Sequence, residues 1–244
     1  MLKTLAGLTL WLVSIGTQSA DLAKGISAAN AGEWGNALSE FRPLALKGDS
    51  DAQANLGSLY LRGLGVEQDY RTAMQWFDKA ARQGNAAAQA KLGLMHYYGL
   101  GIEPDHTEAA HWFLKAAERG NPEAAMVLAD LNDQGDGIPT NKNEAYFWYS
   151  VASDLGKDGA DTKRAILTDQ LSPSEINANL TRLSIWREHH DQKLMAAAKN
   201  TQNPTAEGGS DRHNLAGSRK KPKATAKDAP DKKPRSKLKR AESN

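Results

Sequence analysis

Between Asp51 and Gly84 the apolar positions fall into two helical patterns, separated by a polar break that carries glycines. Ala52, Leu56, Leu59 and Tyr60 stand at i, i+4, i+7 and i+8, which is one face of a helix. Gly63 ends that helix, and Gly65 two residues later permits a tight loop with positive φ. Asp69 is placed to cap a second helix, along which Ala73, Trp76, Phe77 and Ala80 share a face until Gly84 closes it. The stretch returns twice, shifted by 36 residues each time. Gly63-Leu64-Gly65-Val66 becomes Gly99-Leu100-Gly101-Ile102 and then Gly135-Asp136-Gly137-Ile138. Trp76-Phe77 becomes Trp112-Phe113 and then Trp148-Tyr149. In the second and third units, Asp105 with Glu108 and Asn141 with Glu144 have capping-box spacing.

A unit of this length cannot bury its apolar face alone, so it must stack on its neighbours. The small residues Ala52, Gly57, Ala73, Ala80 and Ala81 recur as Ala88, Gly93, Ala109, Ala116 and Ala117. They let antiparallel helices approach closely while Leu, Trp and Phe fill the remaining space. The Trp/Phe ladder therefore reads as repeat core, not as a stacking platform for sugars or bases.

The pattern Ala-x3-Leu-Gly-x2-Tyr-x2-Gly-x-Gly-Val-x2-Asp-x3-Ala-x2-Trp-Phe-x2-Ala-Ala-x2-Gly, from Ala52 to Gly84, resembles the Sel-one-like repeat, a relative of the tetratricopeptide repeat. The resemblance implies an all-α fold: a right-handed α-solenoid of antiparallel helix pairs. It covers three 36-residue repeats, plus a degenerate half-unit upstream in which Trp34, Ala37, Phe41 and Gly48 precede their counterparts by 36. That half-unit has Glu40 where Trp76 stands, as expected of a terminal unit. The third unit drifts as well, with Ala129 for the Gly, Asn132 for the Tyr and Ser153 for the second Ala.

The period stops after Gly159. A helix is expected over Asp161 to Gln170, with Ala165, Ile166 and Leu167 inward. Ser172 as N-cap, Pro173 at N1 and Glu175 at N3 restart a second helix, with Ile176, Leu180, Leu183 and Trp186 on its apolar face and an extension over Asp191 to Ala198. This pair is expected to cap the last repeat. The expected organisation is then 1–20 signal peptide, 21–50 degenerate capping repeat, 51–159 three repeats, 160–198 capping helices and 199–244 a disordered basic tail.

Composition sharpens the two ends. Lys3 and the apolar run Leu5 to Ile15 have the form of a secretory signal. Cleavage after Ala20 suits the small residue at −1 but leaves the large Gln18 at −3; cleavage after Ser19, with Thr17 at −3, is the competing site, and an uncleaved anchor is the remaining alternative. The run is short for a transmembrane helix, so no span is expected after cleavage. The expected location is periplasmic or secreted. Residues 21–198 carry 17 Lys/Arg against 24 Asp/Glu, whereas residues 199–244 carry 13 against 5. The net charge of +2 thus hides an acidic body of −7 and a tail of +8. In the tail, Lys220, Lys221, Lys223, Lys232, Lys233, Arg235, Lys237, Lys239 and Arg240 are the candidates for contact with an anionic surface. Its readings are a mobile solubilising extension, attachment to an anionic envelope polymer or lipid, or nucleic acid. Export and the lack of aromatic residues in the tail disfavour the last.

Candidate chemistry is sparse. Cysteine is absent, which excludes thiolate zinc sites, thiol nucleophiles and disulfides. His189-His190 lacks a third metal ligand, and His106 and His111 do not share a helix face. Asp130 to Asn141 fails as a calcium loop, because Asn141 stands where a bidentate Glu is needed. Some cysteine-rich relatives of the family are described as β-lactamases or penicillin binders, and that activity is not carried over to a chain without their cysteine pairs. The expectation is a non-catalytic scaffold with no cofactor and no metal, binding an envelope protein or peptide. The alternative is a binder or modulator of a cell-wall or anionic envelope polymer through the tail. By the resemblance, the first helix of each repeat lines a concave face. Its variable positions are Ser58, Leu61 and Arg62, then Leu94, Tyr97 and Tyr98, then Asp130, Asp133 and Gln134. Tyr and Arg are enriched in binding hot spots. The competing reading of the tyrosines is that they fill packing space left by His96 at the family's Tyr position.

Overall fold

A computed structural model describes residues 21–202. The expected signal peptide (1–20) and the charged positions of the tail from Lys220 onward lie outside the described residues. Among the described residues all regular structure is helical. After a first helix, α1 (residues 21–30), come α2 (Trp34–Leu46), α3 (Ser50–Arg62), α4 (Tyr70–Arg82), α5 (Ala86–Tyr98) and α6 (His106–Glu118). Then follow α7 (Pro122–Gln134), α8 (Lys142–Asp154), α9 (Ala160–Thr168) and α10 (Pro173–Gln202). Within each repeat the first helix, A, packs on the second, B: α3 on α4, α5 on α6, α7 on α8. Each B helix then packs on the next A helix, so the core runs along the stack as an α-solenoid.

The repeat spells out every helix boundary. Asp49, Asn85 and Asn121 accept the N–H of Ala52, Ala88 and Ala124 and cap the A helices. Asp69, Asp105 and Asn141 do the same for the B helices, through the N–H of Thr72, Glu108 and Glu144. Gly63 (φ 66°) is left-handed and returns its N–H to the Leu59 carbonyl, which closes α3. The second glycine of the loop does something else. A Cβ on Gly65 would lie 2.8 Å from the Trp34 carbonyl oxygen, and one on Gly101 2.7 Å from Tyr70 Cβ. The loop therefore seats on the first residue of the preceding B helix and forms an inter-repeat joint.

Inside each hairpin, Gly57 and Gly93 admit a phenyl ring. An added Cβ would meet Phe77 at 2.9 Å and Phe113 at 2.8 Å. In the third unit Ala129 replaces the glycine and Tyr149 the phenylalanine, and both are buried. Two buried glutamines tie successive units together. Gln53 donates to the Ala45 carbonyl and Gln89 to the Ala81 carbonyl, each at 3.1 Å.

The ends depart from the sequence expectations in four places. Upstream there is a whole hairpin, not half a unit: α1 packs Leu22, Ala28 and Ala29 with Ala37, Phe41 and Leu44 of α2. Gly25 receives the Phe41 ring as Gly57 receives Phe77. The missing piece is the Gly-x-Gly loop, since only residues 31–33 join α1 to α2. In α9, Leu167 and Ala160 point inward, while Ala165 is exposed and Ile166 is 60% exposed. This helix is nine residues long, and its inward stripe is only wide enough for Ala160 and Leu167. In α10 the inward row is Ile176, Asn179, Leu183 and Trp186, with Leu180 45% exposed. Asn179 wins the buried position because its amide donates to Asn143 of α8 at 3.1 Å. Finally, α10 continues to Gln202, past Ala198.

The restart of α10 is a full capping box. The Glu175 carboxylate accepts from the Ser172 N–H (2.8 Å) and hydroxyl (2.7 Å), and the Ser172 hydroxyl accepts the Glu175 N–H. The Ser172 hydroxyl first, then the Asn143 amide and the Ser172 N–H, bring the Glu175 pKa from 4.5 down to about 2. Arg182 clasps Glu144 with two donors and lies over the Phe147 ring at 3.8 Å, and Arg187 pairs with Asp154. The α9–α10 pair thereby closes the stack against α8.

Candidate partner-binding face

On each A helix, residues spaced by 4, 3 and 4 fall on one stripe. In α3 the stripe is Asp51, Asn55, Ser58 and Arg62. In α5 it is Ala87, Lys91, Leu94 and Tyr98, and in α7 Glu123, Val127, Asp130 and Gln134. None of these twelve is fully buried. Between α3 and α5 the stripe opens into a cleft of about 190 Å³, lined by Ile26, Asp51, Ala54, Asn55, Ser58 and Lys91 among others.

The nine residues expected to bind a partner separate into two groups. Ser58, Arg62, Leu94, Tyr98, Asp130 and Gln134 lie on the stripe. Tyr98 is 64% exposed and makes an edge contact with Tyr97, with ring centroids 5.0 Å apart. The Ser58 hydroxyl turns back to the Ala54 carbonyl at 2.9 Å. Leu61, Tyr97 and Asp133 lie beside the stripe. Leu61 packs against the core of the second hairpin. The Asp133 carboxylate and carbonyl both hold the Lys142 ammonium at the start of α8. The Tyr97 hydroxyl donates to Asp136 at 2.7 Å.

That last bond belongs to a cluster which sequence reasoning did not identify. Asp136, inside the third Gly-x-Gly loop, faces Tyr97 and His106 Nδ1 together, and the Tyr97 and His106 rings stack at 4.6 Å. The Tyr97 hydroxyl first, and then His106, hold the Asp136 carboxyl below its ordinary value, while Asp136 raises the Tyr97 phenol. The available signal was Asp136 itself, which stands where Leu64 and Leu100 stand in the other loops. Asp130 is also engaged: it accepts from the Tyr149 hydroxyl at 2.6 Å and from Lys163 of α9. Burial first, then Asp130, pushes the Tyr149 phenol upward. Asn55, Lys91 and Ile26 line the cleft and were missed. The first two lie one turn before the chosen positions on the same stripe.

A wider hollow of about 460 Å³ opens on the B-helix side around Gln89, His111 and Trp112. Arg82, Lys115 and Arg119 face Glu108 and Glu118 there, and this mixture of signs defines no ligand chemistry. Among the described residues no group of three His, Cys, Asp or Glu side chains is arranged to hold a metal ion, and no helix is long and apolar enough to cross a membrane.

Stacked A/B hairpins with an uncovered A-helix face define the class: an α-solenoid whose surface serves recognition. The family model for the Sel1 repeat matches residues 50–85, 86–121 and 122–157, so the chain carries three Sel1 repeats in tandem. Among solved structures it is similar to the Sel1 repeat protein from Oxalobacter formigenes, at 35% identity and a TM-score of 0.59 over 62% of this chain and 60% of that one. It is also similar to c5321, a protective antigen present in uropathogenic Escherichia coli strains that displays an SLR fold. There the identity is 31% and the TM-score 0.58, over 72% of this chain and 37% of that one. The chain thus spans less than two thirds of the first and little more than a third of the second. No curated protein matches it. Sel1 repeat proteins generally act as protein–protein interaction scaffolds and are typically non-catalytic.

Proposed function

We propose that this chain is an exported, non-catalytic scaffold that holds a segment of a partner protein of the bacterial envelope along the A-helix stripe. The observation that carries the reading is the exposed Tyr98 ring, one turn beyond half-buried Leu94 on the stripe that borders the α3–α5 cleft. An exposed aromatic next to a concavity is what a partner's side chain would exploit. Export rests on Lys3 and the apolar run Leu5 to Ile15.

Two variants test the face. Tyr98→Ala and Leu94→Arg should each remove most capture of the envelope partner in a pull-down, Tyr98→Ala with the helical melt unchanged. Tyr97→Phe, at the loop edge, should leave capture intact. Capture unaffected by either stripe variant would remove the face from the account. Mass spectrometry of the exported protein tests the leader: an intact Met1 would contradict cleavage.

A further inference from the structure

The charges on the A-helix stripe are not equally free. Its three acids all hold partners within the chain. Asp51 accepts from Asn85 at 2.8 Å, Glu123 pairs with Lys157 at 3.3 Å, and Asp130 takes Lys163 and Tyr149. Its two cations, Arg62 and Lys91, hold no partner among the described residues. Asp133, beside the stripe, is held by Lys142. Asn85 is a neutral amide, so Asp51 keeps its charge in the cleft; within a body of 24 acidic against 17 basic residues over 21–198, Arg62 and Lys91 are still the cations of this face that no described carboxylate holds.

The two cations also have a spacing. Lys91 stands in the register of Asn55, one repeat on, and Arg62 lies seven residues beyond Asn55 along α3. At a rise of 1.5 Å per residue this separates them by about 10 Å along the helix axes, and the spacing of neighbouring helices adds about 8–10 Å across, so they stand about 14 Å apart. An extended chain covers about 13 Å in four residues. The cleft is lined by Lys91 at one end of this span, and the exposed Tyr98 ring stands in the register of Arg62 at the other.

We propose that the partner segment is acidic and extended, with two carboxylates about four residues apart that engage Lys91 and Arg62, and a side chain at its Lys91 end that enters the α3–α5 cleft. This rests on the groove reading above and adds the chemistry of the occupant. The pairing is electrostatic and partly exposed, so each cation contributes modestly and both sense ionic strength.

The test is selection of a displayed library of unstructured dodecapeptides on the full chain, with binding of selected peptides then measured by anisotropy. Enriched peptides should carry Asp or Glu pairs about four residues apart. Arg62→Gln and Lys91→Gln should each weaken them about three- to tenfold, and the double variant should do so by more, with a shallower salt dependence. Both side chains are on the surface, so the variants should melt like the parent. The basic tail remains in every variant, so its attraction for acidic peptides cancels from the comparison. Enrichment of neutral or basic peptides, or equal binding by the double variant, overturns the proposal. If Leu94→Arg still abolishes that binding, the groove reading stands without it. If Leu94→Arg has no effect, or nothing is enriched, both fall.

Discussion

Gly57 and Gly35 are both helical glycines, and their surroundings give substitution to alanine opposite signs. A Cβ on Gly57 meets the Phe77 ring at 2.9 Å, whereas one on Gly35 meets nothing within 4 Å. Alanine gains about 1 kcal/mol of helix propensity at either site. At Gly57 the overpacking cost of about 1–3 kcal/mol outweighs that gain, so Gly57→Ala should lower the urea midpoint. Gly35→Ala should raise it by the equivalent of about 0.5–1 kcal/mol. Glu175 gives a pH test at the same scale. Its folded pKa of about 2 lies below the ordinary 4.5, so the capping box contributes fully above 4.5 and is lost as pH falls toward 2. NMR of the Ser172 amide should show release in that window, and Glu175→Gln should flatten the acid limb of a stability–pH profile.

Each hairpin was legible as an element because its apolar phase, caps and glycines repeat: three copies of one message determine the helix boundaries far better than one. The ends carry a single copy and read less well. Ile166 and Leu180 look inward on apolar phase alone, yet the amide of Asn179 finds Asn143, and only Ala160 and Leu167 of the short α9 reach the core. The site was half legible for a related reason. Departures from the repeat flagged Arg62, Tyr98 and Asp130, but no sequence rule pairs Asp130 with Lys163 or Tyr97 with Asp136, because those partners lie 33 and 39 residues away. Tyr149→Phe, which removes a hydroxyl bonded at 2.6 Å, should cost about 0.5–1.5 kcal/mol. Asp130→Ala releases Lys163 as well, so hydrogen exchange across α9 should quicken more in that variant than in Tyr149→Phe.

For the molecule as a stack, stability is a sum of hairpins and the interfaces between them. Removing residues 160–244 would strip Leu167, Leu183 and Trp186 from the cluster built on Phe147 and Trp148. The truncated chain should bind ANS and melt earlier, with the loss of protection greatest in α7 and α8. The joints also make the assembly directional. Each Gly-x-Gly loop rests on the B helix before it, while the short α1–α2 turn has no such glycine pair and Gly32 faces open space. The array therefore has a fixed beginning and an extendable middle. A duplicated 36-residue cassette spliced in after Asn121 would find a seat on one side and offer one on the other, with both caps unchanged. Helix spacing of about 8–10 Å would lengthen the recognition face by that step per cassette, which makes the chain a molecular ruler whose reach is set by gene duplication.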